Sequence, residues 1–212
     1  MKMKMRRVSL TTKTKNRPTA KSPPPSFRPF QPLLALIKAH KFLLGLALVI
    51  LVADQASKAW IRANIPFNSY VGPHSIEIIP DYFYIVHVGN WGAAFGQFQG
   101  FGWLFVSLAF VFLGAIAVFR KFFELGRPFM QFTFGLIVGG IIGNLIDRIW
   151  QGFVTDFILN VIPIINYEWP VYNIADAGIV VGFFLYGYES IRNDFLEYRK
   201  KKAAEAEVNG AE

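Results

Sequence analysis

Carboxylates and amides recur at short helical spacings along this chain: Asp54 and Lys58, then Asn90, then Asn144, Asp147 and Arg148, then Asp156, then Asn173 and Asp176. Residues three or four apart share a helical face. Asp54 can therefore meet Lys58, Asn144 can meet Arg148, and Asn173 can meet Asp176. Asp147 stands beside Arg148 and is expected to point elsewhere. If the segment 157–170 folds back, Asp156 can approach Asp176. Two carboxylates that close share one proton, and their titrations split. The ionised member draws a proton from water while the protonated member donates to a scissile carbonyl oxygen. That is peptide hydrolysis without metal, thiol or serine.

Other chemistries lack their residues. The chain has no cysteine, which removes disulfides, thiolate nucleophiles and cysteine-based zinc sites together. His40, His74 and His87 show no metal-binding spacing, and no G-x-S-x-G, Walker A or dinucleotide fingerprint occurs. No metal or cofactor is expected. Each polar cluster also has a plain structural reading. Asp54 with Lys58 reads as an ion pair snorkelling to a membrane interface, and each aspartate taken singly as a helix cap or salt-bridge partner. The stretch from Asn90 through Trp91, Gly92, Ala93, Ala94 and Phe95 to Gly96 reads as a tight turn. Gly139 and Gly143 read as a small-xxx-small packing step.

The elements that must position these groups belong to a membrane protein. Of 212 residues, 53% are hydrophobic, the net charge is +8 and the mean hydropathy is +0.35. The apolar residues are gathered in blocks, and the basic ones crowd the ends. Spans are expected near 42–53 (the helix continuing to about 65), 101–119, 129–146 and 171–191. Nineteen of the 22 Lys and Arg residues precede the first span, lie in 120–127, or follow the fourth. The positive-inside rule then makes both termini cytoplasmic. The basic, proline-dotted residues 1–41 read as a largely disordered arm, residues 42–191 as the four-span domain, and 192–212 as a charged tail. The first apolar run is expected to be retained as a span and not cleaved as a signal peptide. Residues 75–80 and 82–88, rich in β-branched and aromatic types, read as short strands on the outer surface.

The order of the motifs D-Q-A-S-K, N-W-G-A-A-F, G-N-L-I-D-R, V-T-D-F and Y-N-I-A-D resembles the lipoprotein signal peptidase (signal peptidase II) family over about residues 42–191. The resemblance implies a bacterial inner-membrane aspartyl endopeptidase, which removes signal peptides from prolipoproteins just before a diacylglyceryl-modified cysteine. It implies that Asp156 and Asp176 are the catalytic aspartates. Asp54, Lys58, Asn90, Gly92, Ala93, Asn144, Arg148, Asn173 and Ala175 are implied to support or bind, with Gly143 at a matched small position. It also implies a four-helix transmembrane core, all-α apart from a small extracytoplasmic β-platform, with a short outer helix. Tyr172 in place of the usual phenylalanine, Ile141 in place of a smaller residue and Thr155 beside the aspartate are mild departures that strike no matched polar position.

A transporter or proton conductor would need polar groups through the bilayer midplane. Here they gather at one edge, and the second span is apolar almost throughout. A plain scaffold leaves five ordered motifs unexplained. The basic tails are accounted for by topology and anionic membrane lipid, so no nucleic-acid partner is expected. The expected partners are lipid-modified prolipoproteins and membrane lipids, and the expected state is a monomer.

Overall fold

The computed structural model describes residues 31–92 and 100–209. Five helices and one four-stranded antiparallel sheet are built from them: α1 Gln31–Ala39, α2 Lys41–Asn64, β1 Ile76–Ile79, β2 Phe83–Asn90, α3 Gly102–Val118, α4 Pro128–Gln151, β3 Val154–Ile162, β4 Tyr167–Glu168 and α5 Ile174–Asn209. The four expected apolar spans correspond to α2, α3, α4 and α5. Three of these, α2, α4 and α5, are long and apolar enough to cross a membrane. The 17 residues of α3 fall short of the usual length for a span. The two expected strands are β1 and β2.

Several boundaries differ from expectation. The arm read over 1–41 lies mostly outside the described residues, but within it 31–39 form helix α1. The tail read as beginning at 192 continues α5 without a break to Asn209. Lysine, arginine, alanine and glutamate are good helix formers, so the charged sequence propagates a helix already nucleated upstream. Residues 154–162, in a segment read only as a short outer stretch, form the long strand β3. Among the described residues the outer segments hold just one helical turn, the 3-10 turn Pro163–Ile165.

Helix α4 is the centre of the bundle, packed against both α2 and α5. Glycines allow that closeness. A Cβ on Gly139 would lie 2.7 Å from the Ala47 carbonyl oxygen, and one on Gly143 would lie 2.6 Å from Oδ2 of Asp54. On the other side α5 is equally close, where a Cβ on Gly182 would meet the Thr133 carbonyl oxygen at 2.9 Å. One end of the bundle is filled by Leu43, Ile116, Leu125, Met130 and Phe134, with Phe123 and Tyr186 against them. At the other end Ile61, Ile65 and Phe157 join α2 to the sheet, whose own core is Tyr84, Val86 and Leu159.

The sheet has strand order β1-β2-β3-β4. Strand β3 follows α4 after Gly152, whose φ of +83° ends the helix in a left-handed cap that suits a residue without Cβ. Asn90 pairs with Val154 across β2 and β3, and Val88 with Asp156. The chain then returns through β4, and Tyr172 bridges Ile158 immediately before α5 begins. The fold-back needed to bring residue 156 toward residue 176 is this hairpin and bridge.

Gly139→Leu should destabilise the bundle by about 1–3 kcal/mol through forced separation of α2 and α4. Gly45→Leu, on a face with no neighbour within 4 Å, should leave stability unchanged. Thermal unfolding of the purified variants in one detergent checks the pair, and equal losses would refute the close-packing account.

Candidate active site

The start of α5 carries most of the geometry. A helix leaves its first backbone N–H groups unpartnered, and here each described partner is a site residue. Asn173 is the capping residue: its Oδ1 accepts the Asp176 N–H at 2.9 Å, while Oδ2 of Asp176 accepts the Asn173 N–H at 3.2 Å. This reciprocal arrangement is a capping box made from asparagine and aspartate. The Ala175 N–H donates to Oδ1 of Asp54 at 3.0 Å. The expected shared face of Asn173 and Asp176 is therefore realised, and Ala175 brings its backbone to α2.

Asp156 reaches the same place from the sheet. Asn90 stands opposite Val154, so Asp156, two residues on, lies diagonally across on the same sheet face. Nδ2 of Asn90 donates to Oδ2 of Asp156 at 2.9 Å, and Nδ2 of Asn173 donates to Oδ1 at 2.6 Å. Nδ2 of Asn144 donates to Oδ1 of Asp176, also at 2.6 Å. Asn173 thus touches both carboxylates, through its side-chain amide on one and its backbone N–H on the other. Asp156 is buried, and this burial first, then the charge of Asp176, push its pKa up from 3.8 to about 8. The amide donors of Asn90 and Asn173 and the charge of Lys58 pull the other way and are outweighed.

Beneath the pair lies a fully buried cation. Nζ of Lys58 sits 2.8 Å from Oδ2 of Asp54, 3.0 Å from Oδ2 of Asp147 and 3.0 Å from Oδ1 of Asn144. Asp54 and Lys58 pair as their spacing requires, but they do not snorkel: both side chains are 0% exposed. The competing groups lie across α2 and α4, where no water is needed to solvate the charge. Arg148 turns toward the loop after β2. Its Nη2 donates to the Gly92 carbonyl at 3.1 Å, and its guanidinium lies over the Phe105 ring at 5.1 Å. Gly92 in turn donates its N–H to Oδ1 of Asn90 at 3.0 Å. Gly143 makes room for Asp54, as described above. Ala93 lies outside the described residues.

Three further residues join the network beyond those the resemblance implied to act at the site. Asp147, buried, accepts the Thr155 N–H at 3.1 Å and so holds the strand next to Asp156. Nε2 of Gln55 donates to Oδ2 of Asp54, to Oδ1 of Asp147 and to the Gly143 carbonyl. Arg62 lies 3.7 Å from Asp147 and donates to Oγ1 of Thr155 at 3.3 Å. The spacing 54, 58, 62 put Arg62 on the same α2 face, and 144 with 147 put Asp147 on one α4 face. Neither spacing showed that the two faces meet. Among the described residues no group of three or more His, Asp or Glu side chains is arranged to hold a metal ion.

Lys58→Met leaves Asp54 and Asp147 buried without their shared counter-ion. A loss of about 3–5 kcal/mol is expected, the usual cost of breaking a buried ion pair from one side. Unfolding of the purified variant against wild type measures it; a loss under about 1 kcal/mol, typical of an exposed pair, would mean that the cation is solvated.

Comparison with known proteins agrees with the resemblance carried by the motif order. The family model for signal peptidase (SPase) II matches residues 46–192. A lipoprotein signal peptidase of Pseudoalteromonas atlantica is 34% identical over 154 residues, covering 71% of this chain and 89% of its own. That of Bacillus subtilis is 37% identical over 140 residues, covering 66% and 86%. A bacterial membrane enzyme solved by the in meso method at 2.3 Å superposes with a TM-score of 0.65 at 29% identity, over 72% of this chain and 88% of that one. A second, solved at 1.9 Å, gives 0.58 at 31% identity, over 68% and 88%. The chain belongs to the signal peptidase II family, the aspartic-type signal peptidases.

Proposed function

We propose that this signal peptidase hydrolyses prolipoproteins with Asp156 and Asp176 as its catalytic pair, cutting just before a diacylglyceryl-modified cysteine. The observation that carries the reading is the single residue Asn173 hydrogen-bonded to both carboxylates, in a pocket of amides supplied by Asn90 and Asn144. A pair held this way shares one proton. At neutral pH the pair holds one proton between its two carboxyls, and the dipole at the N-terminus of α5 favours the anion on Asp176 and so the proton on Asp156.

The chemistry follows from that division. Asp176 removes a proton from water as its oxygen attacks the scissile carbonyl carbon, and Asp156 gives its proton to the carbonyl oxygen. The tetrahedral product collapses by breaking the C–N bond. Asp176 gives its proton to the departing amine nitrogen while a hydroxyl of the tetrahedral species returns its proton to Asp156 as the carbonyl re-forms, so the pair ends singly protonated as it began. Asn90, Asn144 and Asn173 orient the two carboxylates, and Lys58, Asp54 and Arg148 hold the helices and loop that carry them. Gly92, Gly143 and Ala175 keep the approach to the pair free of bulk. All of these residues come from one chain, so a monomer is the catalytic unit, needing no cofactor.

In the membrane α2, α3, α4 and α5 are the four spans. The sheet lies on the extracytoplasmic side of the bacterial inner membrane, and both termini are cytoplasmic. Lys58, Arg62 and Arg148 fall toward the sheet, while Arg127 and Arg192 pair with Glu189 at the far end of the bundle, and the positive-inside rule makes that far end cytoplasmic. The apolar stretch 101–119, which includes α3, is just long enough at 1.5 Å per residue to reach across about 30 Å of hydrocarbon. Residues 42–191 form the peptidase domain, with the basic arm before it and the charged tail after it.

Asp156→Asn and Asp176→Asn should each lower cleavage of a diacylglyceryl-modified prolipoprotein by about a thousandfold or more, with insertion unchanged. Normal processing by either purified variant would overturn the assignment. The pH dependence has a definite sign. Raising pH through about 8 strips the shared proton from Asp156, so kcat/KM should fall about tenfold per unit above that value. A profile flat to pH 10 would show that no group titrating near 8 is the acid.

A further inference from the structure

Beyond Asp156 one face of the sheet stays partly open. Side chains alternate along a strand, so Asp156, Ile158 and Asn160 of β3 point the same way. Phe157 and Leu159 between them are buried, whereas Ile158 and Asn160 are half-buried. Tyr172 lies opposite Ile158 and is tied there three times. Its N–H donates to the Ile158 carbonyl at 3.0 Å, and its carbonyl accepts from Phe157 at 3.1 Å and from Ile158 at 2.8 Å. Residues directly opposite in an antiparallel pair share a face, so the half-buried Tyr172 ring stands on the Asp156 side. It reaches diagonally along the strand, and Nδ2 of Asn160 donates to its hydroxyl oxygen at 2.9 Å.

That bond leaves two groups unengaged. A phenolic hydroxyl donates as well as accepts, and an amide oxygen accepts. Among the described residues nothing accepts the Tyr172 hydroxyl proton and nothing donates to Oδ1 of Asn160. One donor and one acceptor side by side match the C=O and N–H that every non-proline peptide unit presents. Asn160 stands four residues from Asp156, about 13 Å at 3.3 Å per residue. An extended chain with its scissile bond at Asp156 therefore reaches the pair about four residues from the cut. The residues before the cut belong to an apolar signal peptide and come from the bilayer, so the residues after it are the ones that lie along the sheet.

We propose that Tyr172 and Asn160 form a subsite for the substrate backbone about four residues after the modified cysteine. The hydroxyl donates to a peptide carbonyl, and Oδ1 of Asn160 accepts a peptide N–H. The subsite reads an extended chain of sufficient length and no particular side chain. The inference rests on Asp156 being a catalytic carboxylate and on the sheet being extracytoplasmic.

Two diacylglyceryl-modified peptides, identical up to the cysteine, test it with the full-length enzyme. One ends a single residue after the cysteine and the other continues for six. Wild type should favour the longer by about three- to tenfold in kcat/KM, carried by KM, as one or two neutral hydrogen bonds would give. Tyr172→Phe, which keeps the ring, and Asn160→Ala should each lower that preference about twofold or more, and the double variant should bring it to about one. A brace for the β3–α5 junction predicts something else, since a distorted junction slows both peptides alike and leaves their ratio unchanged. That result, or no preference in wild type, would overturn the subsite. Normal cleavage by Asp156→Asn would instead remove the reading beneath it, so the two failures are told apart.

Discussion

A lysine ammonium with no access to water needs anions and acceptors on all sides, and the arrangement around Lys58 determines much of what surrounds it. Its three described partners come from two helices: Asp54 from its own, and Asp147 and Asn144 from α4. To bring Asp147 and Asn144 within 3.0 Å, α4 has to approach α2 closely, and the glycines at 139 and 143 are what permit it. The cation also fixes an orientation one step further out. An ammonium only donates, so Asn144 must turn its oxygen to Lys58, and that oxygen accepts from Asn173 as well. The amide nitrogen of Asn144 is thereby left to face Asp176. Asp176 is thus oriented by a charge with which it makes no direct hydrogen bond.

The carboxylates around that cation have separate tasks set by what else they hold. Asp54 spends its second oxygen on the N-terminus of α5, and Asp147 spends an oxygen on the backbone of β3. One secures the helix that carries Asp176 and the other the strand that carries Asp156. A helix end and a strand meet at an angle and share no ladder of hydrogen bonds, so their relative position has to come from side chains. Asn173 completes the joint by capping the helix and reaching the strand aspartate with the same amide.

The sequence carried the local part of this well. Apolar runs marked the four long helices, alternation of β-branched and aromatic residues marked β1 and β2, and the spacing of Asn173 and Asp176 already placed them on one face. What it could not carry was which faces meet. Asp147 was expected to point away from its neighbour Arg148, since adjacent residues diverge by about 100° around a helix, but its spacing did not show what it would meet. Arg148 goes to the Gly92 carbonyl and Asp147 to Lys58. Lys58 looked like a residue able to snorkel because nothing on α2 itself can surround it. Choosing Asp156 over Asp54 and Asp147 came from motif order and not from spacing, since strand β3 had no clear signal and the cross-strand diagonal to Asn90 exists only in the paired sheet. The charged end of α5 was read as a tail because hydropathy ends where the membrane does, whereas helix propensity does not.

The two ends of α5 show how one helix can serve unlike purposes without conflict. Its first turn is bound on several sides: by Asp54 at Ala175, by Asn144 at Asp176 and by the sheet through Asn173. Any slide or rotation there would break several charge-assisted hydrogen bonds at once, each stronger than an ordinary one. Its middle is held by small residues against α4 and its inner end by Glu189 between two arginines. A helix fixed at three levels along one face transmits little movement from its far end to its first turn. The geometry of Asp176, some 20 Å from Glu189 at 1.5 Å per residue, therefore stays under the control of Lys58 and its neighbours.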